Sequence, residues 1–330
     1  MLPYASLAKR WRGDSRIDMH FHLQSRRDFA KVALSGLSVG SLLGAKLSST
    51  VGGVKLGAIS YCFRGLPRTA DADYIGTIIK ACLECGVANV ELTSPMVEPP
   101  NTLPGGGRVP PDTPENRKMR EDLRKWRLST PMSHFKEVRK KFDDAGINLF
   151  AYVMTFAEDF PDEEIDAVFQ QSRALGVGII GTNQTTVGMG PKLVSFADKY
   201  KIDLSYHNHA MSENANEVAS PQSFEKLFGM SKRFKANLDV GHFVAGNNDP
   251  MAFIEQHHDR ITHLHMKDRK RNNGPNMPWG EGETPLKPVL LLLKEKRYPI
   301  YAIVEYEYKG TGTPVEETKK CMEYMRQVLA

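Results

Sequence analysis

The amino-acid sequence predicts an α/β fold, a single (β/α)8 TIM barrel, and three observations carry that prediction. From residue 54 onward, short β-rich runs alternate with longer stretches of helical period, the pattern of a parallel α/β fold. The strand-helix unit occurs eight times over residues 54–329, in keeping with the about 250 residues such a barrel uses. No G-x-G-x-x-G or G-x-x-x-x-G-K-[ST] turn follows the first strand, which argues against an open, doubly wound sheet.

Taken in order, the first strand is read at 54–62 and the first helix at 72–86, where Ile78, Ile79, Cys82 and Cys85 recur at helical spacing. Cys82 and Cys85 therefore read as structural thiols, since no second pair completes a zinc site. With Cys62 and Cys321 they make four cysteines, too few for a disulfide framework in 330 residues. A strand at 88–93 leads into an irregular insertion, Pro95 to Pro114. Helical period then fills 114–145, broken by Pro131 into two helices. Strands follow at 147–155, 177–182, 202–209, 234–240, 260–267 and 299–307, with helices at 162–175, 190–200, 221–229, 249–257, 285–297 and 314–329. A second insertion, Arg269 to Pro285, follows the seventh strand. Both insertions come after strand C-termini, the face on which a barrel places its chemistry.

The first 45 residues read as a separate segment, leaving 46–330 as the barrel domain. Ser25-Arg26-Arg27-Asp28-Phe29-Ala30-Lys31 resembles a twin-arginine export signal and is followed by an apolar run from Val32 to Ala45. Met19, six residues before the motif, fits the start of such a signal better than Met1 does. The expected partner of the precursor is the twin-arginine export machinery, and the expected location is periplasmic or otherwise extracytoplasmic. The same segment carries +4 of the net +5, so the rest of the chain is near neutral and offers no electrostatic case for nucleic acid. No stretch is apolar and long enough to span a bilayer. The sequence leaves open whether the protein is a monomer or a homo-oligomer.

Barrel interiors are filled by branched apolar side chains, so polar residues on the inward phase near strand ends need a reason. Ser205, His207 and His209 take the phase opposite Leu204 and Tyr206; Asp239 opposes Leu238 and Val240. His263, His265 and Lys267 oppose Leu264 and Met266, while Glu305 and Glu307 oppose Val304. Four consecutive strands thus deliver His207, Asp239, His265 and Glu305 to one end. Two imidazoles and two carboxylates suit one divalent ion such as Mn2+, Co2+ or Zn2+, and leave it enough positive charge to act as a Lewis acid. Glu91, on the inward phase of the second strand, is expected to bind substrate, as are His209, Lys267 and, in the second insertion, Trp279.

In order, Tyr206-His207-Asn208-His209, Asp239-Val240-Gly241-His242, His263-Leu264-His265-Met266-Lys267-Asp268, Trp279-Gly280-Glu281-Gly282 and Val304-Glu305-Tyr306-Glu307 resemble motifs of a known family. It is the sugar phosphate isomerase/epimerase family of the xylose-isomerase-like TIM-barrel superfamily, also described as the AP endonuclease family 2 type. The resemblance covers roughly residues 54–328 and implies a metal held by Glu, Asp, His and Glu, of which Asp239, His265 and Glu305 match the last three. His242 matches a substrate-contacting His. The departure is His207, which stands where the epimerases have the first Glu, one of their two proton-exchanging carboxylates.

The expected activity is that of a metal-dependent isomerase or epimerase working on a free or oxidised sugar through an enediolate, with Glu305 and His207 as the catalytic pair. Relatives of the inosose dehydratase type carry a His at that point, so elimination from a keto-sugar, keto-glycoside or inosose is the alternative. A non-catalytic exported sugar-binding barrel is a further one. Endonuclease IV shares the scaffold, but its Asp-x-His after the strand-seven His is replaced here by Asp268-Arg269-Lys270, which argues against a nucleic-acid substrate.

Overall fold

The computed structural model describes residues 48–68, 73–100, 113–210 and 216–330. The expected export signal, and residues 101–112 of the first insertion, lie outside them. The described chain begins with a two-residue strand, β1 (Thr50–Val51), that folds back antiparallel on β2 (Val54–Ile59). Gly52 and Gly53 make that turn with φ of 56° and 84°, a pair of left-handed conformations that glycine adopts without steric cost.

Seven further strands follow in order: β3 (Asn89–Thr93), β4 (Asn148–Val153), β5 (Ile179–Thr182), β6 (Asp203–His207), β7 (Phe234–Asp239), β8 (Ile261–Met266) and β9 (Tyr301–Val304). From β2 to β9 each pairs in parallel with the next, and β9 closes onto β2 with Leu56 opposite Ala302 and Ala58 opposite Val304. The predicted eight-stranded barrel is therefore the fold, with β1 as an added antiparallel ribbon.

The surrounding helices are α1 (Tyr74–Glu84), α2 (Pro114–Ser129), α3 (Met132–Asp144), α4 (Asp162–Ala174), α5 (Gly190–Tyr200), α6 (Pro221–Met230), α7 (Val240–Ala245), α8 (Pro250–His257), α9 (Leu286–Lys296) and α10 (Pro314–Leu329). Their boundaries follow local chemistry. Thr313 and Glu316 form a reciprocal capping box at α10, and Thr113 caps α2 ahead of Pro114. The break between α2 and α3 falls at Thr130, held extended before Pro131, as the clash of a proline ring with the preceding residue requires. Short α7 was not expected from the sequence: it starts directly at the end of β7, with Asp239 as its N-cap.

Two parallel ladders slip register, between Val90 and Glu91 in β3 and between Ala236 and Asn237 in β7. Such irregularities re-aim the side chains beside them. Both of these lie next to a residue that reaches the same histidine, His265.

Candidate metal centre and active site

His207 ends β6, Asp239 ends β7, His265 is the penultimate residue of β8, and Glu305 follows β9 directly. One ligand atom from each of the four lies within 4.8 Å of the others, and all four residues are buried. The ring that strand phase predicts is brought together at the C-terminal mouth of the barrel. His207 Nδ1 is buried without a hydrogen bond among the described residues, and Asp239 Oδ2 faces the Lys267 ammonium. Leaving the buried imidazole nitrogen unpaired is costly, so it points to a ligand. Glu305 raises the proton affinity of Asp239, a repulsion that a cation between them relieves. The donor set and its unpaired imidazole nitrogen fit a divalent ion.

Electrostatics agree with the geometry. Burial pushes His207 well below the ordinary imidazole range and keeps it neutral, the form that coordinates a metal. Burial raises Asp239 to about 7 despite Lys267. For Glu305 burial would do the same, but Lys267 and His265 outweigh it and hold the carboxyl well below its usual range. The Lys267 ammonium lies 3.1 Å from Asp239 Oδ2, 2.9 Å from Glu305 Oε2 and 2.7 Å from Glu307 Oε2, and is itself 2% exposed. It neutralises the carboxylates from the cavity side.

A second layer holds His265. Its Nδ1 lies 3.0 Å from Glu305 Oε2, and its Nε2 lies 2.5 Å from Glu91 Oε2 and 3.1 Å from the Asn237 amide. The other oxygen of Glu91 meets His263 Nε2 at 3.0 Å, and His263 Nδ1 meets Thr262 Oγ1 at 2.7 Å. Glu91, His263 and His265 also gather within 4.8 Å, but the ring nitrogens and carboxylate oxygens that meet there are already engaged with one another. The group is a support for His265, the carboxylate-histidine arrangement that fixes a ligand's tautomer and orientation. His263 and His265 hold the Glu91 carboxyl down at about 2 against the effect of burial, and Glu91 and Glu305 raise His265 to about 10.

The ring opens into a cavity of about 740 Å³, lined by His207, His209, His242, His265, Lys267 and Glu305 among others, with Asp239 beneath them. Two residues expected to bind substrate are placed away from the cavity lining. Glu91 is 0% exposed, its carboxylate engaged by the two β8 histidines. Trp279 packs edge-on against Tyr324 of α10 at 5.7 Å, a contact that anchors its loop. His242 is at the cavity, its ring between the Lys267 Nζ (3.1 Å) and Arg269 Nη1 (2.5 Å); burial and Lys267 keep it neutral.

Sequence reading missed the far wall. Arg127 of α2, 6% exposed, joins Glu98 and Glu164, with Nε to Glu98 Oε1 and Nη1 to Glu164 Oε1 both at 2.8 Å. Arg124 adds a 2.7 Å bond to Glu164. This network fastens α2 beside the cavity. Asn237 was visible in principle, two residues before Asp239 on the same strand phase.

Residues 191–328 match the family described as Xylose isomerase-like TIM barrel. That segment contains β6 to β9 and all four ring residues. Among curated proteins it is similar to the inosose dehydratase of Lactiplantibacillus plantarum, 26% identical over 153 residues, which are 40% of this chain and 50% of that one. The chain spans about half the length of the curated relatives it matches. Among solved structures it resembles the IOLI protein with a binding zinc atom (TM-score 0.59, 14% identity, covering 84% of this chain and 99% of that one). It also resembles 3-keto-D-glucoside 4-epimerase from E. coli (TM-score 0.56, 11% identity, 83% and 99% covered). These two likenesses show a shared fold.

Proposed function

We propose that the protein is a divalent-metal-dependent enzyme of carbohydrate metabolism that enolises a free or oxidised sugar, isomerising or epimerising it. The observation that carries this reading is the buried ring of His207, Asp239, His265 and Glu305, with an unpaired imidazole nitrogen on His207, at the mouth of a cavity large enough for a sugar. A divalent ion held there supplies Lewis acidity toward a carbonyl oxygen and a neighbouring hydroxyl. Glu305, ionised and at the cavity wall, takes the proton from the carbon between them. Lys267 faces the oxygen on which negative charge then grows. His207 and His209, also at the cavity, are the groups that handle the second proton.

Elimination is the second reading, favoured by one specific feature. The ring presents neutral imidazole at His207 where a symmetric epimerisation would use a second carboxylate. Without that second carboxylate, the proton Glu305 takes from carbon can be returned to a departing hydroxyl, which leaves as water, and the similarity to inosose dehydratases favours the same outcome. Export, inferred from Arg26-Arg27, would further favour an unphosphorylated substrate, since sugar phosphates are scarce outside the cytoplasm.

Incubating metal-loaded protein with ketoses, keto-glycosides and inososes in D2O tests the shared step. Deuterium should enter the carbon next to a carbonyl, and the exchange should vanish in Glu305→Gln while bound metal is retained. The product then separates isomerase from lyase. Absence of exchange in every compound under every metal would overturn the enolisation reading.

A further inference from the structure

Five cationic side chains line the cavity: Arg64, Arg120, Arg124, Arg127 and Lys267. Four of them face carboxylates: Arg127 pairs with Glu98 and Glu164, Arg124 with Glu164 and Asp159, Arg120 with Asp159 at 3.9 Å, and Lys267 with Asp239, Glu305 and Glu307. Arg64 has no carboxylate within ion-pair range among the described residues, yet it is not loose. Its Nη1 donates to the carbonyls of Tyr61 and Tyr306, each at 3.0 Å, and its guanidinium lies 4.2 Å from the Tyr61 ring centroid. Two carbonyls and an aromatic face fix the plane of the group while adding no negative charge. The edge formed by Nε and Nη2 donates to no protein group among the described residues, and that edge is the geometry for a bidentate carboxylate.

Its position matters as much as its freedom. Arg64 follows β2 at the C-terminal face and is bonded to the carbonyl of Tyr306, the residue between Glu305 and Glu307. Arg64 and Glu305 both line the cavity, so a single ligand can meet both. We infer that Arg64 binds a carboxylate of the substrate, and that the enzyme takes an acidic sugar of the uronate type, its carbonyl at the ring and its acid group at Arg64. A phosphate dianion fits less well, because the other arginines of the cavity are already neutralised and no second free cation stands beside Arg64 among the described residues. The inference rests on the reading of the ring as the reaction centre.

The test uses the full chain loaded with Mn2+, with metal occupancy measured independently by water-proton relaxation. Calorimetric titration with D-glucuronate and D-galacturonate, with D-glucose and D-galactose, and with D-glucose 6-phosphate compares the anions with their neutral counterparts. The uronates should bind about tenfold or more tighter than the neutral hexoses, the scale of a hydrogen-bonded charge pair. Arg64→Gln should erase that ratio, and Arg64→Lys should restore part of it. Equal binding of acid and neutral sugar, a ratio unchanged in Arg64→Gln, tighter binding of the phosphate, or no binding of either uronate would overturn the assignment. Each of those results leaves the relaxation measurement intact, so failure at Arg64 is distinguishable from failure of the metal ring.

Discussion

Replacing Glu91 by Gln removes a charge and almost no volume from the layer behind the metal ring. The wild-type carboxylate accepts from His263 Nε2 at 3.0 Å and His265 Nε2 at 2.5 Å. A glutamine can keep its carbonyl against His265 and turn its amide toward His263, which can then donate to Thr262 Oγ1 instead. The contacts survive but the charge does not. A hydrogen bond to a charged group contributes about 1.5–3 kcal/mol and a neutral one about 0.5–1.5, so the loss is on the order of 1–2 kcal/mol. If that energy orients His265 for the metal, affinity for Co2+ or Mn2+ should fall by roughly 5–30-fold, at the lower end of what such supporting carboxylates contribute. Competition against a fluorescent chelator reads this directly, with near-ultraviolet circular dichroism to check the fold. Gly181→Ala is the companion variant: a Cβ there would stand 2.6 Å from Glu91 Oε1 and 3.1 Å from Val153 Cγ2, displacing the carboxylate without touching a ring residue. It should weaken metal binding in the same direction. Affinity within twofold of wild type in Glu91→Gln would refute the role assigned to Glu91.

Asp239→Ala removes a ring carboxylate and should abolish stoichiometric metal; retention of the ion after dialysis would show that it binds elsewhere. Arg127→Met leaves Glu98 and Glu164 buried against fewer partners and should cost about 3–5 kcal/mol in urea unfolding, a value near zero meaning that α2 is held by other contacts. Trp279→Phe should lower thermal stability through its contact with Tyr324 while sugar binding stays as in the wild type. If Arg26-Arg27 directs export, changing both to Lys should retain the protein in the cytoplasm, and unchanged fractionation would count against it.

The ring was legible because a parallel strand alternates strictly between barrel interior and helix layer: counting from Leu238 and Val304 sufficed to place Asp239 and Glu305 inward. Boundaries such as Pro131 were legible from proline's backbone chemistry. Partnership was not. Glu91 and His263 are separated by 172 residues, and no local pattern states that one inward carboxylate will spend itself on histidines rather than on a ligand. Trp279 likewise reads the same in sequence whether it covers a ring in the cavity or meets Tyr324 from the last helix. The Arg127 network escaped because its acids lie in a loop after β3 and on α4, each unremarkable alone.

The metal ring and the wall of the cavity that carries Arg64 come from different halves of this barrel. Residues 191–328, the part that matches the family, contain the ring and its Lys267. The opposite wall, with Tyr61, Arg64, Thr93, Glu98 and the face of α2, is built by residues before 191. The Arg127 ion network clamps that wall to α4, so its lining can change while the strands that present the ring stay as they are. A protein made this way can exchange substrates by rebuilding one side of a room whose hearth is left alone, and swapping α2 with its flanking loops between relatives would be the direct route to a new specificity.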